Sequence, residues 1–233
     1  WVPAFELQDV QLLDRAGRTA LALGQVRVAI APQSLLAFEL RLAQLHVEGV
    51  QLDVRRDDQG RIRVAGMDMQ AEAAPDDGGA AADWLFTQYE IVVRHGVVRW
   101  TDELRQAPPL ELREVDLVLR NGLRRHDLRL DATPPPAWGE RFSLRGRFTQ
   151  SLLARSGDWR RWSGTLYAEL PAADVTELRR QVALPLDLQD GRGALRAWLE
   201  LRGGQWREAT ADVALADVAL RLGAELPPLV LTG

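Results

Sequence analysis

Hydrolysis, metal binding and nucleotide binding each demand particular side chains at particular spacings, and the chain of 233 residues offers few of them. Its histidines, His46, His95 and His126, lie far apart, and none stands in an HxH or HExxH arrangement. His46 falls between Leu45 and Val47, the place of an outward, solvated residue on a strand. There is no cysteine, hence no thiolate ligand and no disulfide, and no GxSxG elbow to carry a serine nucleophile. Asp53, Asp57 and Asp58 are the nearest approach to a calcium loop, but the distal glutamate of an EF-hand is missing. Gly191-Arg192-Gly193 lacks the rest of a dinucleotide fingerprint and reads as a strand-initiating turn, and Asp102-Glu103 sits in a turn. The expectation is a protein without catalytic residues, cofactor or metal.

Trp159 and Trp162, beside Arg155, Arg160 and Arg161, are the one cluster with binding chemistry. Guanidinium groups there could meet a lipid phosphate or an anionic glycan. The plainer expectation is cation–π packing in a loop covering a sheet end. Nucleic acid is excluded as a partner: net charge is −4 and the pI about 5.5, whereas phosphate backbones need a clustered positive field. All basic residues are arginine, and many alternate with apolar residues, as in Arg61-Ile62-Arg63-Val64. That is the pattern of strands with one wet face.

The positioning elements are accordingly strands. In APPLELREVDLVLRN (107–121), apolar residues occupy even numbers at Leu110 and Leu112, then odd numbers at Val115, Leu117 and Leu119. Strict alternation buries one face, and a change of parity inserts one residue, a β-bulge that bends the strand. Leu7–Leu12 and Leu215–Leu220 echo this hexamer, and Gln33–Leu36 is echoed by Gln150–Leu153. Bulges are expected at Gln8-Asp9, Glu48-Gly49, Arg113-Glu114 and Ala216-Asp217, giving a strongly coiled antiparallel sheet of about ten to twelve strands. At ~4.8 Å per strand its trough would run on the order of 50 Å.

In order, strands are expected at 5–13, at 21–30 with a shift at Gly24, at 40–54, and at 61–64 after the Asp57–Gly60 turn. Residues 66–82 are small, acidic and aperiodic, the composition of a mobile linker. Asp83 would cap a single helical turn at Trp84–Phe86. Strands resume at 89–94 and 97–100, then around Leu128 and Leu130, at 141–148 and at 165–170. The one convincing helix starts at Asp174, an N-cap with Glu177 three residues on, and stops at Pro185. Two long strands, 194–201 and 206–222, flank the Arg202–Gln205 hairpin. The expected organisation is a first β-segment at 1–65, a linker with a helical turn at 66–88, and a second β-segment at 89–233. No apolar run of 18 residues spans a bilayer. The start at Trp1 and the strand-like Pro-Leu-Val-Leu near the end read as part of something longer.

The stretches FELQDVQLLDRAGR (5–18), LRLAQLHVEGVQLDVRRDDQGRIRVAG (40–66), GVVRWTDELRQAPPLELREVDLVLRN (96–121), ATPPPAWGERFSLRGRF (132–148) and WSGTLYAELPAADVTELRR (162–180) resemble the AsmA-like bacterial envelope proteins, their YhdP branch in particular and TamB more distantly. The resemblance implies a periplasmic body anchored to the inner membrane through a helix that these residues do not contain. It implies a mainly β fold, a sheet curled into a U-shaped groove with one short helix near 174–183. It further implies phospholipid as cargo between inner and outer membranes, with an outer-membrane or periplasmic protein as a possible partner. The lining residues would be Val26, Val28, Ile30, Leu52, Val54, Val98, Trp100, Val115, Leu117, Leu119, Leu128, Leu130, Phe142, Leu144, Leu166, Leu199, Leu201, Val213 and Leu215. The competing expectation is a structural or interaction module of the cell envelope whose apolar face is filled by its own helix and loops.

Overall fold

The computed structural model describes residues 4–13, 19–31, 41–64, 67–68, 78–151, 154–181, 188–220 and 229–231. Almost all of them are strand. The elements are β1 (Ala4–Leu13), β2 (Thr19–Ile30), β3 (Leu42–Glu48), β4 (Gln51–Arg56), β5 (Ile62–Val64), β6 (Met67–Asp68), α1 (Gly78–Thr87), β7 (Glu90–Asp102), β8 (Leu110–Asn121), β9 (Arg125–Thr133), β10 (Phe142–Thr149), a 3₁₀ turn (Trp159–Arg161), β11 (Ser163–Asp174), α2 (Val175–Gln181), β12 (Leu188–Arg202), β13 (Gln205–Leu220) and β14 (Leu229–Leu231). The strands form one fourteen-stranded sheet, running from β14 in descending order to β7, then to β3 and β4, β2 and β1, with β5 and β6 beyond β4.

The sheet is mixed rather than wholly antiparallel as expected. β3 and β4 both lie parallel to β7, at Leu45↔Ile91 and Gln51↔Val97. Parallel neighbours need a long crossover, and the segment between β4 and β7, which includes α1, supplies it. The single turn expected at Trp84–Phe86 is a ten-residue helix, Gly78–Thr87. Asp83 therefore lies within it rather than at its start, and its carboxylate accepts the Gly157 amide instead (2.8 Å). The strands expected separately at 89–94 and 97–100 are one bent strand, β7.

The expected parity changes are bends that align across the sheet. Asp9 (φ 53°), Gly49 (φ 69°), His95 (φ 50°) and Glu114 (φ 48°) take left-handed backbone, and Gly24 lies opposite Asp9. Register is the same on both sides of the bend from β1 to β7, because each neighbour bends at the matching residue. Between β8 and β9 the register shifts between Arg113 and Asp116, so there the bend is a true bulge. A further shift faces Ala216–Ala219 with Asp190–Arg192, the bulge expected at Ala216-Asp217. Gly191-Arg192-Gly193 thus lies inside β12, not in a turn before it.

Two local devices follow from side-chain chemistry. The hairpin Gly203-Gly204 has positive φ at both residues (56° and 72°), the geometry of a type I′ turn. Asp174 caps α2 by accepting the amides of Thr176 (2.9 Å) and Glu177 (3.2 Å). The reciprocal half of a capping box is not made. The Asp174 amide donates to the Trp138 carbonyl and the Glu177 carboxylate pairs with Arg180, which leaves it no need of the cap. The expected turns at 14–18 and 33–36, the parts of the 66–82 linker at 66 and 69–77, and the end of this helix at Val182 and Pro185 lie outside the described residues.

Candidate functional site

Sheet register sorts the side chains into two faces of opposite chemistry. On one face, arginines and carboxylates interlock: Arg99 with Glu111 (2.9 Å), Arg120 with Glu90 (2.7 Å), Arg129 with Asp131 (2.8 Å) and Arg141 with Asp116 (2.9 Å). The Arg120 guanidinium holds the Glu90 carboxyl below its ordinary pKa, and Arg125 does the same for Asp127. His46 belongs to this face, between Arg27 and Val92 of its neighbours.

The other face is apolar in unbroken cross-strand rows. One row reads Leu7, Val26, Val47, Val93, Leu117, Leu130, Leu144, Ala168, Ala197 and Ala211, from β1 to β13 without a polar residue. The next reads Phe5, Val28, Leu45, Ile91, Leu119, Leu128, Gly146, Leu166, Leu199 and Ala209. Gly146 leaves a gap in that row which Phe148 fills, its ring passing where a Cβ would stand. Beyond the bend the face continues through Leu21, Leu52, Val98 and Leu112, and through Val54, Trp100 and Leu110.

All nineteen residues expected to line a groove fall on this face. Ile30 pairs with Leu42, Val115 with Gly96, Phe142 with Ala132, Leu201 with Trp206, Val213 with Leu195 and Leu215 with Gly193; the remainder stand in the rows above. Burial grades along it. Val26, Val47, Ile91 and Leu119 are buried, whereas Val213 and Leu215, towards β14, are 55% and 40% exposed. Sequence reasoning omitted the alanines of β11 to β13 and Leu7, Leu45, Val47, Ile91 and Val93. The same alternation marks them, but small size hid the alanines.

One end of the face carries a structure with no signal in the local residue pattern. His126, fully buried, stacks on Trp162 (4.0 Å between centroids, 7° between planes), and Phe86 of α1 meets both edge-on. Phe148 and Leu201 complete the cluster, with Leu128 and Leu166 packed against it. The Asn121 amide donates to the Gln88 carbonyl (2.8 Å), which aims its oxygen at His126 Nδ1 (2.7 Å) and makes that nitrogen the donor. Trp162 Nε1 donates to Gln150 (3.2 Å). Burial pushes the His126 pKa below its ordinary value, against smaller upward contributions from Gln150 and Asp127. So Trp162 serves packing, but against Phe86, His126 and Phe148 rather than in the cation–π contact expected, while Trp159 remains exposed.

Of the carboxylates singled out for calcium, Asp57 is otherwise employed. Asp57 accepts the amides of Gln59 (3.0 Å) and Arg61 (2.8 Å) and pairs with the Arg61 guanidinium, locking its own turn. Asp102 is buried among Arg56, Arg105 and the Arg105 amide. Among the described residues no cluster of metal-ligating side chains occurs, and no helix is long and apolar enough to cross a membrane.

A long bent sheet with one ionic and one continuous apolar face defines the class: an elongated β-protein built on a single two-faced sheet. The YhdP protein family matches residues 1–232, and the chain belongs to that family. No curated protein and no solved structure matches it.

Proposed function

We propose that this chain is a segment of a periplasmic bridge that passes phospholipids between the inner and outer membranes, with acyl chains on the apolar face and headgroups in water. The carrying observation is the row from Leu7 to Ala211, apolar across ten strands and covered by no second sheet among the described residues. A layer of secondary structure ordinarily buries its apolar face against another layer. Here Val26, Val47, Ile91 and Leu119 are nonetheless buried. Shielding by neighbours on the same face supports a sheet curved towards that side, as aligned bends would curve it.

Energetics give such a face its purpose. At ~0.8 kcal/mol per methylene, an acyl chain of about fifteen carbons costs on the order of 12 kcal/mol to expose to water. A continuous apolar lane removes that cost step by step, and no catalytic residue is required. Partners under this reading are phospholipid and the two membranes, with anchoring to the inner one through a helix outside these residues. The aromatic cluster of Phe86, His126, Phe148 and Trp162 favours a second reading, an envelope module that fills its own apolar face, but it closes only one end of the rows.

The deciding experiment is extraction of the purified chain with organic solvent and mass spectrometry of what is released. Phospholipid in stoichiometric amount is the expected result. A chain that folds and carries none favours the self-filled module.

A further inference from the structure

We propose that one strand-end rim of the sheet is a docking surface for an anionic lipid bilayer. The rim comprises α1, the turn from Asn121 to Arg125, the 154–162 loop and the β12–β13 hairpin. It lies at the end of the apolar rows, where Trp206 stands opposite Leu201 on the same face, and the inference holds whether or not those rows carry lipid.

Hydrogen bonds tie the four pieces into one surface. Asn121 donates to Gln88, the Gly157 amide to Asp83, and the Gly204 amide to the Trp162 carbonyl (2.9 Å). Exposed on it are Trp84 (42%), Tyr89 (42%), Leu123 (86%), Trp159 (45%) and Trp206 (59%), with Leu85 beside them. The opposite strand-end rim exposes a single large apolar side chain, Leu104, among the described residues. So uneven a distribution of aromatics is not what a uniformly solvated sheet shows.

The charges choose the occupant. On this rim Asp83 is spent on Gly157 and Asp158 on Arg161. Arg124 donates to the Gln150 carbonyl (3.2 Å), and neither it nor Arg155 has a carboxylate partner among the described residues. On the opposite rim, by contrast, Arg56 and Arg105 both face Asp102. Tryptophan, tyrosine and leucine beside arginine with no carboxylate partner among the described residues is the combination suited to the headgroup layer. Amphipathic rings settle at that depth and guanidinium groups meet lipid phosphates. A protein partner would not require the anion, so the lipid charge is the variable to test.

The test is co-flotation of the chain with phosphatidylcholine vesicles, with and without phosphatidylglycerol. The expected result is binding to the anionic vesicles, weakened by salt, and much less to phosphatidylcholine alone. Arg124→Gln with Arg155→Gln should weaken it about tenfold or more, and Trp159→Ser with Trp206→Ser should also reduce it, while Leu104→Ser should not. No binding to anionic vesicles, unchanged binding in both rim variants, or equal loss in Leu104→Ser overturns the proposal. Should a rim variant fail to fold, brominated phosphatidylglycerol vesicles added to the unaltered chain replace it. Quenching of tryptophan fluorescence is expected, and its absence overturns the proposal as well.

Discussion

Gly49 and His95 face each other across the parallel join of β3 and β4 with β7, both in left-handed backbone (φ 69° and 50°). The Gly49 amide donates to the Arg94 carbonyl (3.0 Å) and the Val97 amide to the Val50 carbonyl (2.7 Å), so pairing resumes at once on either side. Two strands thus bend at one level without losing register. His95 is flanked at the bend by Glu48 (3.5 Å) and Glu114 (3.9 Å).

Gly49→Val should destabilise the sheet by about 1–2 kcal/mol, since a side chain in left-handed backbone clashes with the following carbonyl, and a β-branched one most of all. Gly122→Ala, at a turn without positive φ and with only the Arg125 carbonyl near its missing Cβ (3.6 Å), is the comparison and should cost much less. Urea denaturation of the two variants distinguishes them. Equal midpoints would mean that the bend at Gly49 is not strained by a side chain.

Leu117→Asp with Leu144→Asp places two charges in one apolar row, on either side of Leu130. Co-purified phospholipid should fall by most of its amount while the circular dichroism spectrum stays β-rich. Val118→Asp, one residue along and beside Arg94 and Arg129 on the ionic face, should leave lipid unchanged. Undiminished lipid in the folded double variant would remove these leucines from the lipid path.

Stability should fall on mild acidification because of His126. Its folded pKa lies below the ordinary 6.5, chiefly through burial. Below that value the unfolded chain binds the proton more readily than the folded one, so stability is intact above about pH 6.5 and is lost as pH falls towards the folded pKa. His126→Phe, similar in shape within the aromatic cluster, should flatten this segment of a melting-temperature profile. An unaltered slope in the variant would assign the dependence to other groups.

Asp174→Ala removes the acceptor for the Thr176 and Glu177 amides and should cost about 1 kcal/mol. Asp174→Asn, which keeps an oxygen in place, should recover most of it. Hydrogen exchange at the first turn of α2 reads this directly, and no change in protection there would mean the cap is dispensable.

Alternation in the sequence was enough to place nineteen candidate residues on one face, because a side-chain period of two leaves a strand only one choice of inward set. Parity changes at Asp9, Glu48-Gly49 and Glu114 located the bends for the same reason. The Asp174 cap was equally legible, since it is a contact between residues a few positions apart.

What tertiary structure alone decided is which strands meet. Val47 joins Val93 in parallel rather than turning back in a hairpin, and no local pattern encodes a partner separated by a crossover. His126 and Trp162 likewise look unremarkable in sequence, one a lone histidine and the other part of an arginine-rich loop. They become a buried stack because β9, the 3₁₀ turn and α1 converge there, and burial of aromatic surface outweighs the polarity of the imidazole once Asn121 accepts its proton. The chemistry of each face is written locally along the chain; the partners that assemble those faces are set by contacts far apart in it.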